Sequence, residues 1–156
     1  MRSMLASSRL IGSVAFLIAM TWASQAQAQF GVGTTWVRTD AGGKGITMTV
    51  EACCSGGLRL IYQIPAVANQ PAMTLTVNSP MDGTEAPALV GGKPSGETMA
   101  IKRLDDHRYT AVMKTNGAPF GTSNGTVSAD SKTLTVESVS NAGGKADKVI
   151  ETWVKK

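Results

Sequence analysis

From residue 33 onward, apolar and polar residues alternate in short runs closed by Gly, Asn or Asp, and no 3.6-residue apolar period is sustained. A period of two sends successive side chains to opposite faces, so each run predicts a strand with one buried face. Ile46, Met48, Val50 and Ala52 share one such face, with Thr47, Thr49 and Glu51 on the other. Leu58, Leu60, Tyr62 and Ile64 repeat the pattern after a turn at Ser55-Gly56-Gly57, and Met73, Leu75 and Val77 after a loop holding Pro65 and Pro71. Residues 33–39 form an extended run ahead of these. Pro87 demotes 85–90 to a weak edge strand, because proline cannot donate to a ladder, and 91–96 reads as loop. Met99, Ile101 and Arg103 share the next face, then Tyr109, Ala111 and Met113. Asn116-Gly117 is a strong hairpin signal, since both residues tolerate positive φ. Runs over 120–128, around Leu134 and Val136, and over 148–154 with Trp153 bring the total to about ten strands. The expected class is all-β: an antiparallel up-and-down meander that removes its two edges by closing into a barrel.

The first 28 residues follow another grammar. Arg2 and Arg9 flank the start of an apolar run over 10–20, and Ala26-Gln27-Ala28 has the small-x-small form of a cleavage site. Together these predict a secretory signal, leaving residues 29–156 as a single β-barrel domain in the periplasm or outside the cell. The run falls short of the roughly 18 residues a spanning helix needs, so no integral membrane segment is expected after signal removal. Losing Arg2 and Arg9 takes the net charge from +4 to +2. The remaining basic residues are interspersed with acidic ones and lack stacking aromatics, which argues against a nucleic-acid partner.

An oxidising compartment gives the Cys53-Cys54 pair three fates: a bond to each other, a bridge between chains, or free thiols. Adjacent Cα atoms lie about 3.8 Å apart, under the roughly 4.4 Å floor of ordinary disulfides. Strand alternation would also point the two sulfurs apart, but the turn at 55–57 lets the backbone leave strand geometry. A vicinal disulfide is therefore a candidate, either stiffening the turn or acting as a labile redox switch.

Catalytic and metal chemistry find little support. His107 is the single histidine, in the charged turn Asp105-Asp106-His107-Arg108, which excludes a multi-histidine zinc site. Cys53, Cys54, His107 and methionines are soft enough ligands for copper. They are scattered, however, and Met48, Met73, Met81, Met99 and Met113 mostly fit core alternation. Gly121-Thr122-Ser123-Asn124-Gly125 matches the nucleophile-elbow spelling but sits in a β-meander, where the required strand–turn–helix is missing. Asn124-Gly125-Thr126 spells a glycosylation triplet, idle behind a bacterial-type leader. Gly92-Lys93 is followed by Pro94, so no phosphate loop is formed, and the three Gly-Gly-Lys turns are turn chemistry without a repeat. No acid–base pair or activated nucleophile is evident, so neither an enzyme nor a cofactor is expected.

Residues 101–139 carry a resemblance. Ile101-Lys102-Arg103-Leu104-Asp105-Asp106, Asn116-Gly117, Val127-Ser128-Ala129-Asp130 and Lys132-Thr133-Leu134-Thr135-Val136 resemble a group of small exported bacterial proteins similar to lipocalin-like, calycin-type barrels. Gly45-Ile46-Thr47-Met48-Thr49-Val50-Glu51 is similar to an earlier strand of that group. The lipocalin Gly-x-Trp has a longer counterpart here, Gly33-Thr34-Thr35-Trp36. The resemblance implies a closed barrel able to enclose a small apolar molecule.

Candidate ligand-binding residues follow from the strand faces: Trp36 and Arg38, Tyr62, Met99, Ile101 and Arg103, Tyr109 and Met113. Turned inward, the arginines and tyrosines would grip a carboxylate head group while an apolar lumen takes the tail. If Arg38 and Arg103 instead end their strands, they reach solvent. The expected function is non-catalytic binding of a small apolar or amphipathic ligand. The alternative is an envelope protein–protein interaction or inhibitor module with a filled barrel. N-terminal sequencing of the exported protein is expected to begin at Gln29; a mature chain that keeps residues 1–28 would overturn the signal assignment.

Overall fold

Two-residue turns and alternating strands leave the chain little choice but to zigzag, and a computed structural model describing residues 31–141 and 144–156 has that form. The strands are β1 (Thr34–Arg38), β2 (Thr47–Cys53), β3 (Gly57–Ile64), β4 (Met73–Ser79) and β5 (Asp82–Val90). They continue as β6 (Lys93–Arg103), β7 (Arg108–Thr115), β8 (Ala118–Val127), β9 (Thr133–Ser140) and β10 (Asp147–Lys155). Each pairs antiparallel with its sequence neighbours, and β1 closes on β10, giving a ten-stranded barrel. The only helical element among the described residues is a 3-10 turn, Ala41–Gly43. None of the described helices is long and apolar enough to cross a membrane. The predicted signal, residues 1–28, lies outside the described residues, as do Ala142 and Gly143 of the β9–β10 turn.

Closure rests on a short seam. Trp36, Val37 and Arg38 stand opposite Lys155, Val154 and Trp153. The Thr39 amide extends the ladder by donating to the Thr152 carbonyl at 2.8 Å, and the Lys156 amide donates to Thr35 at 2.8 Å.

Turn chemistry sets the registers. Asn116 and Gly117 take φ of 49° and 83°, the left-handed pair expected of a tight hairpin turn. Gly91 and Gly92 do the same at 56° and 82°, so the connection is two residues long and β6 already begins at Lys93. The loop expected over 91–96 is thus mostly strand, because consecutive glycines suffice to reverse the chain. Nor is 85–90 an edge. β5 is paired on both sides, and Pro87 is accommodated beside a register irregularity before Leu89.

One end of the barrel carries the β2–β3 turn, where Cys53 and Cys54 are disulfide-bonded. Cys53 ends β2, while Cys54 and Ser55 have φ of 54° and 53°, so the backbone has left strand geometry at the second cysteine. Behind this disulfide end the barrel is solidly packed with Trp36, Val50, Leu58, Val77, Val127 and Leu134, all buried. Ala52, expected inward, is exposed because β2 has by then reached the rim. Outward faces are polar and carry cross-strand ion pairs, Arg59–Glu51 at 3.5 Å, Lys148–Glu137 at 2.9 Å and Lys114–Glu85. Exposed pairs of this kind each contribute about 0–1 kcal/mol, so they mark the wet face rather than hold the fold.

Gly57 shows how tightly the disulfide end is packed. A Cβ there would lie 2.7 Å from the Cα of Pro80 and would collide with the Ser79 carbonyl, both backbone atoms that cannot swing aside. Gly57→Ala is expected to destabilise the protein by about 1–3 kcal/mol, the usual cost of overpacking, read as a lowered urea midpoint. An unchanged midpoint would show that the two hairpins do not press together.

Candidate functional site

The opposite end of the barrel, which carries the Ala41–Gly43 turn and the 65–72 loop, is not filled. A cavity of about 230 Å³ opens there, with Leu60, Ile64, Leu75, Met99, Met113 and Val136 among its apolar walls. Small inward residues on β7 and β8 leave the room. Ala111 and Ser123 line the space, while the Tyr109 ring packs over Gly125, where a Cβ would run into it. Trp153 and Tyr62 meet edge-to-face, ring centres 6.0 Å apart, where the packed half gives way to the hollow.

Besides Tyr62 and Tyr109, polar side chains enter this wall at two places. Ser123 and Ser138 stand opposite each other on β8 and β9, hydroxyl to hydroxyl at 2.8 Å. On the other side, at the β1–β10 seam, Arg38 and Glu151 are the only charged residues lining the cavity among those described. The Arg38 Nη1 lies 3.0 Å from Glu151 Oε1. Its Nε and Nη2 donate to the two carboxylate oxygens of Asp40 at 2.7 and 2.9 Å, a bidentate fork. Glu151 Oε2 also accepts from the Trp153 indole at 3.0 Å, and Asp40 Oδ1 from the Thr152 amide at 3.2 Å. Gly43 of the 3-10 turn leaves the space the arginine side chain fills, for a Cβ there would collide with it.

Charge states follow from these contacts. The hydrogen bond to Asp40 raises the Arg38 pKa and holds the guanidinium charged. The same bond, aided by the Thr152 amide, draws the Asp40 carboxyl from 3.8 to about 2. Tyr62 and Tyr109 are pushed upward, chiefly by burial and further by nearby negative charge including Glu151, so both stay neutral phenols.

Six of the eight residues singled out from the sequence come together on this cavity: Arg38, Tyr62, Met99, Ile101, Tyr109 and Met113. Trp36 does not. It is 0 % exposed in the packed half, its indole donating to Thr34 Oγ1 at 3.1 Å. Arg103 also stands apart, exposed at the end of β6 beside the His107 turn, because its strand has run out of barrel. Of the two placements left open for Arg38, lumen or solvent, the structure has it lining the cavity, yet two carboxylates already hold it, so the anticipated arginine grip on a ligand carboxylate is occupied from within. Glu151 was missed. Its signal was present in the alternation, since it shares a strand face with Trp153 and so sits on an apolar side. Ser123, hidden in the idle nucleophile-elbow spelling, is a wall residue. His107 and the cysteines lie at the disulfide end, and no cluster of metal ligands forms among the described residues.

A broader, shallower hollow of about 500 Å³ lies on the rim over Gln63, Met73 and Val90, with no charged residue in it. Comparison with protein-family models, curated proteins and solved structures finds no match to this chain.

Stability should fall in acid through the seam. A carboxyl whose folded pKa is depressed contributes stability above its unfolded value, and the contribution is lost as pH falls through the folded one. For Asp40 that window runs from 3.8 down to about 2. Asp40→Asn is expected to lower the urea midpoint at neutral pH and to flatten the acid limb within this window. Residual slope comes from Asp82, Glu85, Asp105 and Asp130, whose pKa values are also lowered by hydrogen bonds. An acid limb identical to wild type would remove Asp40 from the seam's energetics.

Proposed function

We propose that this protein is an exported, non-catalytic carrier or receptor for a small apolar or amphipathic molecule, held in the loop-end cavity of a lipocalin-like barrel. The observation that carries this reading is the hollow itself: apolar walls, a few convergent polar groups and one open end are what small-molecule sites have in common. Size narrows the class. A cavity of 150 Å³ suffices for benzene, so about 230 Å³ suits a body of roughly ten heavy atoms rather than a whole long-chain lipid. Export is supported by the leader grammar of residues 1–28 and by the Cys53–Cys54 bond, which suits an oxidising compartment. The closed antiparallel barrel is compatible with the calycin-type resemblance of residues 101–139, which supports the same reading. A filled-barrel interaction module is favoured less, because only the disulfide half is filled.

Methionine methyl resonances provide the test, since Met81, Met99 and Met113 line the cavity whereas Met48 and Met73 do not. Titration with toluene or indole is expected to shift the first three and leave the other two in place. Ala111→Phe puts a ring into the hollow. It should weaken probe binding by at least about tenfold with the thermal midpoint kept or raised, as filling a void rather than a packed core allows. Shifts at none of the three methyls would leave the barrel without a binding function of this kind.

A further inference from the structure

The charges at the seam specify more than a hollow. One guanidinium, Arg38, meets two carboxylates, Asp40 and Glu151, so the group carries one net negative charge where it borders the cavity. Asp40 lies behind Arg38 and does not line the space, whereas Glu151 does. Among the described residues each Glu151 oxygen has one partner, Arg38 on Oε1 and the Trp153 indole on Oε2. A carboxylate oxygen has two lone-pair sites, so both keep acceptor capacity that a donor inside the cavity can reach. Three aromatic rings, those of Tyr62, Tyr109 and Trp153, border the same space, and aromatic rings attract cations through their π-electron charge. The two tyrosines add hydroxyl dipoles but no charge.

A ligand carboxylate entering this site finds Arg38 already neutralised and Glu151 repelling it. An ammonium finds an acceptor of opposite charge and aromatic rings around it. We infer that the cavity selects a small cationic amphiphile, an amine on an aromatic or short alkyl body, over the carboxylate of the same shape. The inference rests on the binding function proposed above and names the head group that function takes. Glu151 is the specificity-determining residue, and Asp40 supports the selection from behind by keeping Arg38 occupied.

Three probes of one shape separate the two levels of the proposal: phenethylamine, phenethyl alcohol and hydrocinnamate, titrated at neutral pH and followed at the Met99 and Met113 methyls. The amine is expected to bind at least about tenfold more tightly than the carboxylate, the scale of one charge-assisted hydrogen bond, with the alcohol between them. Glu151→Gln should bring the three affinities together by weakening the amine. Asp40→Asn replaces no residue that lines the cavity and should strengthen the carboxylate instead, which keeps the test alive if the Glu151 variant does not fold. Equal or tighter binding of hydrocinnamate by the wild type, with the alcohol bound, would overturn the charge selection while the binding function stands. So would an unchanged amine preference in a folded Glu151→Gln protein. Failure of the alcohol and both ions to bind would remove the function and the inference together.

Discussion

A sheet closes into a barrel only if its first and last strands hold each other, and here that junction is a three-residue ladder clasped by Arg38, Asp40 and Glu151. β1 is the shortest strand, five residues, so backbone pairing alone offers little there. The clasp adds a guanidinium that binds β10 through Glu151 and a carboxylate that accepts from the Thr152 amide. Every member is hydrogen-bonded, which is the condition under which a partly buried charged group stabilises rather than penalises a fold. The same atoms form the polar wall of the cavity. Closure and recognition therefore share one set of charges.

The two halves of the barrel divide the labour through side-chain size. On the disulfide side, Trp36 and the branched residues around it are buried together. On the loop side, β7 and β8 present Ala111 and Ser123 inward, and nearer the packed half the Tyr109 ring lies where Gly125 would have placed a Cβ. The packed half makes the hollow half possible, because strands pinned at one end need not be filled at the other. Gly57, pressed against Ser79 and Pro80, shows the pinned end at close range.

Strand faces were the legible part of this sequence, for a physical reason. Alternation is a local property, so Leu58-x-Leu60-x-Tyr62-x-Ile64 announces its inward side without knowledge of any partner, and the expected ten-stranded closed meander is the fold observed. Where strands end is not local, and Arg103 and Ala52 kept the inward phase yet surfaced at a rim. Pro87 misled in the same way, since an edge is defined by missing neighbours and closure supplied them. The cavity was legible as a face and not as a charge: alternation left Arg38 between lumen and solvent, because its partners Asp40 and Glu151 come from a turn and from the far end of the chain. A pairing across 113 positions cannot be read from spacing. Glu151 announced itself only as an acid in phase with Trp153.

Hollowness itself calls for a cause. Leaving space in a core costs about 24 cal/mol per Å³, so 230 Å³ left dry would cost about 5 kcal/mol, comparable with the whole stability of a small domain. Water entering through the open end and solvating Arg38, Glu151 and the serines lowers that cost without removing it, because much of the wall is apolar. Substituting leucine for Ala111 or Ser123 would fill the space by a single step, and such cavity-filling changes commonly stabilise proteins. A barrel that keeps alanine and serine at these wall positions, with a paired arginine and glutamate on the same cavity, forgoes stability at the one place where a guest molecule could supply it. Occupancy by such a guest adds stability in proportion to the logarithm of its concentration over Kd. The void and the binding function are then two aspects of one energetic fact.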